Sequence, residues 1–269
     1  MRTYGRPLAG FALLALLGVL AGAGPYLTRW SWTDVDVTAF GDPPSADHWL
    51  GTTASGRDVY AVALRALRRS LVIGLLVAAG ATGLAAVTGA AAGYVGGWAD
   101  RLLRWVTDLL LVFPPFLMAA VVSRAFTGQV ATALLLTGLM WMMTARAVRA
   151  ATRSLRDEGY VLAARQLGAS APRIVLRHLL PNLTSLLLAD ATLNTGAAVV
   201  GESGLSYFGF GVRPPDVSLG TLLADGAPAA TVFPWLFLPP VILLVLILLA
   251  VDLAGAGLRG ASNPFRERG

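Results

Sequence analysis

The sequence predicts an all-α, polytopic membrane protein with six transmembrane helices, and three observations carry that prediction. Hydrophobic residues make up 56% of the 269 positions and charged residues 13%, a balance too apolar for an ordinary soluble domain. The apolar residues gather into runs near the length that crosses a ~30 Å hydrocarbon layer as helix. The polar interruption at 157–181 carries helix starts and stops in place of another run.

The first run, residues 8–28, follows Arg2 and Arg6, and Ala21-Gly22-Ala23 near its end has the small-residue form of a signal-peptide cleavage site. Residues 29–69 are polar, with Asp34, Asp36, Asp42, Asp47 and Asp58, and the part from Arg57 to Arg69 reads as an amphipathic helix leading to the membrane. Residues 70–95 carry no charge and form the second span. Gly89, Gly93 and Gly97 recur every four residues there, a spacing that lets another helix approach closely. The third span, 105–123, is interrupted by Phe113-Pro114-Pro115, which predicts a kink. The fourth, 130–145, continues into Arg146, Arg149 and Arg153, a helical ladder expected to face headgroups or the polar segment that follows.

That segment, within 154–181, reads as two short helices forming a knob. Ser154-Leu155-Arg156-Asp157 has the form of a capping box, so a helix is expected to begin near Leu155. Tyr160, Val161, Ala164 and Leu167 make its apolar stripe, and Gly168 supplies the stop. Ser170 and Pro172 open a second helix that carries Ile174, Val175 and Leu179 inward until Pro181 interrupts it. The fifth span, 183–203, bears Asp190, Asn194, Ala197 and Gly201 on one narrow stripe. An ionisable residue in mid-span costs about 2.5–3.5 kcal/mol on insertion scales, so Asp190 is expected to face a bundle interior or a watery passage. Lining a passage and bonding to a neighbouring helix both fit it. Glu202 lies off the stripe near the outer end, where it can serve a pathway or bond to the following turn. An outer loop at 206–227 and a sixth span at 228–251 complete the set.

Composition excludes several classes. The absence of cysteine rules out disulfides and thiol catalysis, and two isolated histidines argue against a zinc or haem site. All 21 basic residues are arginine, so the chain has no lysine with which to build a phosphate-binding P-loop. The net charge of +6 comes from arginines that flank the spans, which reads as topology signalling and not as nucleic-acid binding. With both termini inside, 14 of the 21 arginines fall on the inner side, as the positive-inside rule requires. An intramembrane enzyme would need a catalytic constellation, and Asp108 and Asp190 have no such context. An ion-driven transporter using Asp190 and Glu202 would be expected to carry inverted repeats, and none is found.

The knob resembles the cytoplasmic EAA loop of ABC importer permeases: Glu-Ala-Ala, three residues, Gly, nine residues, Ile-x-Leu-Pro. The pattern falls on Leu162, Ala163, Ala164, Gly168, His178, Leu180 and Pro181, with Leu162 in place of Glu and His178 in place of Ile. A His before Leu-Leu-Pro-Asn is similar to the peptide-importer branch. His48-Trp49-Leu50-Gly51-Thr52 with Gly56-Arg57-Asp58, Tyr94 to Arg101, Glu202 to Gly209, Gly211 to Pro215, Leu219-Gly220, and the closing Asp252, Gly257-Leu258-Arg259 and Asn263-Pro264 resemble further signatures of C-type permeases in the same order. Ala254 and Ala261 stand where that family usually has acids.

The resemblance implies the type I ABC importer permease fold, with an N-terminal helix and outer loop at 1–69, a five-helix core at 70–264 and a tail at 265–269. The family keeps the 8–28 segment as its first helix. The resemblance further implies a multi-pass protein of the bacterial plasma membrane, with both termini cytoplasmic, that moves dipeptides or oligopeptides. Its partners would be a homologous B-type permease, two ATPase subunits that bind the ATP and Mg, an extracytoplasmic substrate-binding protein and membrane lipid. Nickel or haem-type cargo is known in the same family, but spans without His or Cys offer few soft ligands. The coupling role is expected of the seven knob residues. Asp190, Asn194, Gly201 and Glu202 are candidates to line the pathway, and no catalytic or metal-binding residue is expected.

Overall fold

The structure, a computed structural model, describes residues 5–123 and 128–261; the expectations for Arg2, Asn263-Pro264 and the 265–269 tail lie outside them. Ten helices are described: α1 (Gly5–Ala23), α2 (Val59–Val95), α3 (Gly97–Val112), α4 (Pro115–Val122), α5 (Gln129–Leu155), α6 (Gly159–Gln166), α7 (Ala171–Ile174), α8 (Thr184–Tyr207), α9 (Leu219–Gly226) and α10 (Pro234–Ala261). Among the described residues there is one isolated bridge, Thr52 to Asp58, and no strand. Five helical segments are long and apolar enough to cross a membrane, and the bent pair α3 and α4 makes a sixth if taken as one span. Helix is the form an open chain must take in lipid, because each segment satisfies its own amides there.

The axis of the fold is α2. Asp58 caps it, its Oδ1 accepting from the Ala61 amide at 2.8 Å. Its 37 residues span about 55 Å at 1.5 Å per residue. The amphipathic lead-in and the second span are therefore one rod, and the 69/70 division falls inside it. One face of α2 places Leu64 and Leu67 against Leu17 and Ala21 of α1, Val199 of α8 and Ile247 of α10. Further along, Ile73 and Val77 meet Ala119 of α4, Leu136 of α5 and Leu205 of α8. Gly89 and Gly93 face α5 so closely that a Cβ on them would lie 2.6 Å from the Ala145 carbonyl and 2.7 Å from that of Arg149. Gly97 is not part of this contact: it opens α3, and a Cβ there would meet nothing within 4 Å.

Three expectations about the middle of the chain need correction. The third span begins at Gly97 instead of 105, while the expected kink at Phe113-Pro114-Pro115 is present as an 82° bend. Pro115 takes the first position of α4, where a missing amide hydrogen costs nothing. The arginine ladder faces a neighbouring helix that the sequence did not point to. It pairs with α3: Arg149 chelates Asp100, with Nη2 to Oδ2 at 3.0 Å, Arg153 approaches the same carboxylate at 3.7 Å, and Arg146 pairs with Asp108. Finally, no helix begins at Leu155. α5 ends there, and the Ser154 hydroxyl donates back to the Ala151 carbonyl at 2.8 Å. A helix already running takes that hydroxyl for itself before it can serve as a cap.

Pro181 interrupts the regular hydrogen bonding, as expected, without ending the helical path. From Ala171 to Tyr207 the backbone stays helical, changing its winding through five π-helical residues, Val175–Leu179, and a 3-10 turn, Leu180–Leu183. Pro181 lacks an amide hydrogen and its ring crowds the carbonyl four residues back, so regular α geometry fails there. The altered winding relieves the clash, and Asn182 Nδ2 covers the His178 carbonyl at 2.6 Å.

At the end of the bundle opposite the knob, residues 29–58 fold onto the α8–α10 connection. His48 is buried, its Nδ1 2.9 Å from Asp58 Oδ2, and it stacks on Trp30 at 4.7 Å. Ser218 opens α9 with a reciprocal capping box to Thr221. The last span runs from Pro234, six residues later than expected.

Candidate functional site

The knob is built on a small closed core. Val161, Ile174 and Leu179 are fully buried, with Ala164 and Val175 against them, and the cluster rests on Tyr94 at the end of α2 and Leu155 at the end of α5. Arg165 lies over the Tyr94 ring at 5.4 Å and adds a cation–π contact to the same seat. α6 ends in a Schellman turn: the Gly168 amide donates to Arg165 and the Ala169 amide to Ala164, both at 3.0 Å. Gly168 takes φ +80°, the left-handed conformation that turn requires. Ser170 stands at the expected N-cap of the second helix, but its side chain makes no capping bond.

The seven motif positions divide by exposure. Ala164 belongs to the knob core, His178 and Leu180 are half-buried, and Leu162, Ala163, Gly168 and Pro181 are exposed. Leu167 was expected on the inner stripe, yet it is 88% exposed. It is the C-cap residue of α6, with ψ near 6°, so the chain has already turned away from the core. Leu162 and Leu176 add further exposed apolar surface. Apolar side chains held outward on a polar, rigid knob suit contact with another protein.

The intramembrane stripe lies along the side of α8 next to α5. Asn194 Nδ2 donates to Thr144 Oγ1 of α5 at 3.2 Å and to Thr82 Oγ1 of α2 at 3.5 Å. A Cβ at Gly201 would lie 3.7 Å from Leu136 Cδ2 of α5, while Ala197 is exposed. One turn before Asn194, Asp190 Oδ2 is buried without a hydrogen-bond partner. An orphaned carboxylate oxygen is costly, and it marks a place that would welcome a donor from outside this chain.

Glu202 is held differently. It is fully buried, and both oxygens are engaged: Ser70 Oγ donates to Oε2 at 3.1 Å and Ser206 Oγ to Oε1 at 2.7 Å. It lines no open surface of this chain. Close by, Arg69 of α2 pairs with Asp216 of the outer loop at 2.5 Å, and Arg65 approaches the same carboxylate at 3.7 Å. Hydrogen bonding from Arg69 holds the Asp216 carboxyl below its ordinary range. Sequence reading missed this cluster because its members come from residues 69–70, 202–206 and 216. The available signal was Glu202 and Ser206 at i and i+4 opposite a Ser that opens an uncharged run.

Residues 85–261 match the protein family described as binding-protein-dependent transport system inner membrane component. The oligopeptide transport system permease proteins OppC of Mycobacterium tuberculosis and Mycobacterium bovis are each 49% identical over 259 residues, covering 95% of this chain and 89% of theirs. OppC of Bacillus subtilis is 31% identical over 260 residues, covering 96% of this chain and 85% of its own. Matched in this way along nearly its whole length, the chain belongs to the family of binding-protein-dependent transport system inner membrane components, the permease subunits of ABC importers.

Proposed function

We propose that the chain is one permease subunit of an importer for oligopeptides or dipeptides, paired with a homologous B-type permease. Two ATPase subunits supply ATP and Mg and a substrate-binding protein delivers cargo. The carrying observation for energy coupling is the knob: a unit with its own buried core and a Schellman turn at Gly168, seated on the ends of α2 and α5 and continuous through its π and 3-10 turns with α8. Closure of an ATPase around it moves those three helices together, a rigid-body switch. The knob end is then cytoplasmic, as are both termini, in the bacterial plasma membrane. Peptide cargo is supported by the relatives, which are named as oligopeptide permeases. Asp190 and Asn194 are proposed to line the passage, with the orphaned Asp190 oxygen receiving a peptide's ammonium group.

The exposed Leu167 gives the sharper test of docking, because Ala164 and Gly168 also maintain the knob itself. In the reconstituted importer, Leu167→Asp is expected to lose the ATPase on purification, retain the partner permease, and lose most dipeptide uptake. Full uptake with the ATPase retained would overturn the coupling role. A wild-type complex that moves no peptide would overturn the cargo.

A further inference from the structure

At the end opposite the knob lies a pocket of about 330 Å³, between the turn at Thr53–Arg57, the start of α2 and helix α9. We propose that this pocket binds a small zwitterion with an apolar side chain, the chemical class of a free dipeptide. The inference rests on the peptide reading above and assigns that cargo a second station, outside the intramembrane stripe.

The pocket has an apolar floor, including Val62 and Leu222, and a polar rim of Thr53, Ser55, Arg57 and Asp225. Arg57 Nε is buried and has no hydrogen-bond partner. A guanidinium donor removed from water without an acceptor is unfavourable, so the site is completed by an anionic oxygen. Asp225 stands exposed on the rim of the same pocket, and its carboxylate makes no hydrogen bond or ion pair among the described residues. Its surroundings desolvate it in part and push its carboxyl above the ordinary value. Opposite charges that do not satisfy each other leave room for a ligand that meets both. A simple anion would face Asp225 and a simple cation would face Arg57, whereas a zwitterion answers each with its opposite. The volume lies at the small end of ligand pockets, right for two residues and too small for a folded partner's surface.

The test uses the assembled importer in nanodiscs without its binding protein, titrated with leucyl-leucine by calorimetry. Saturable binding is expected, weakened about tenfold or more by N-acetylation or C-amidation of the peptide, since each removes one charge-assisted contact. Arg57→Gln and Asp225→Asn, checked for intact assembly by gel filtration, are expected to weaken the unblocked peptide similarly and to lose the penalty for blocking the corresponding end. Absence of saturable binding, or equal binding of blocked and unblocked peptides, overturns the proposal. Uptake of leucyl-leucine with the binding protein restored is measured in parallel: uptake without pocket binding sinks the pocket alone, while neither sinks the peptide reading as well.

Discussion

Glu202 and Asp190 show how differently two carboxylates can be treated on one helix. Asp190 keeps a buried oxygen without a partner, while Glu202 receives a hydroxyl on each oxygen, one from α2 and one from its own α8. The Ser206 hydroxyl also accepts from the Val212 amide at 3.0 Å, so the carboxylate fixes the turn that follows α8 as well as the α2 contact. Removing the acceptor leaves the O–H donors of Ser70 and Ser206 unpaired inside the bundle, at a cost of about 1–3 kcal/mol. Glu202→Ala is therefore expected to lower the melting temperature of the detergent-solubilised complex clearly. Glu202→Gln, which keeps an acceptor and a comparable shape, is expected to fall much less. Equal melting of the two variants would show that these bonds hold nothing together.

At the scale of helices, the most extensive contact among the described residues is α2 against α5, and it depends on the absence of side chains at Gly89 and Gly93. A methyl group at Gly93 would sit 2.7 Å from the Arg149 carbonyl and 2.9 Å from Thr152 Cβ, so the two helices must part to admit it. Gly93→Ala is expected to cost roughly 1–3 kcal/mol, the range for an overpacked core. It should also loosen the pairing of Arg149 with Asp100, the next contact along the seam. Protease susceptibility of the 96–104 turn measures that loosening. The glycine spacing is legible in the amino-acid order by itself, because small residues every four positions have one steric meaning whichever helix answers them. The spans, the left-handed Gly168 and the inward Ile174 and Leu179 are legible for a similar reason: each follows from local geometry or period. The ladder's partners are not. Arg146, Arg149 and Arg153 carry no information about which helix faces them, and Asp108 and Asp100 lie 38 and 49 residues before Arg146 and Arg149. Pro181 announces the interruption but not that the helical path continues, because that depends on whether the chain around it can rewind between the packed Leu179 and Leu183. The split between exposed Leu167 and buried Val161 follows from where the Schellman turn swings the chain, a matter of a single dihedral.

Seen whole, α2 is anchored at both ends by different chemistry: the knob's apolar core at Tyr94, and a chain of charges at the other end that runs from Trp32 through Arg65 to Asp216 and Arg69. Arg65 lies over the Trp32 ring at 4.8 Å and also approaches Asp216, so it ties both outer loops to the same stretch of helix. Any motion delivered to α2 at the knob must therefore carry the loop end with it, or break this link. The link has a pH signature whose sign is fixed. Arg69 lowers the Asp216 pKa below its ordinary 3.8, so the native state holds that proton less readily than the unfolded chain. Its stabilisation is fully present above about pH 5 and is lost as pH falls through the lowered value. Asp36, lowered chiefly by its bond from the Thr38 hydroxyl, adds a contribution of the same sign in the first loop. Asp216 is 38% exposed, which screens the pair and limits its worth to about 1 kcal/mol at neutral pH. Asp216→Asn is thus expected to lower the melting temperature modestly at pH 7 and to converge with wild type only as pH falls through the lowered value. Parallel curves across that range would mean that Asp216 contributes through shape and not through charge, and the loop end would then be held by the buried His48, the Ser218 cap and the Glu202–Ser206 bond.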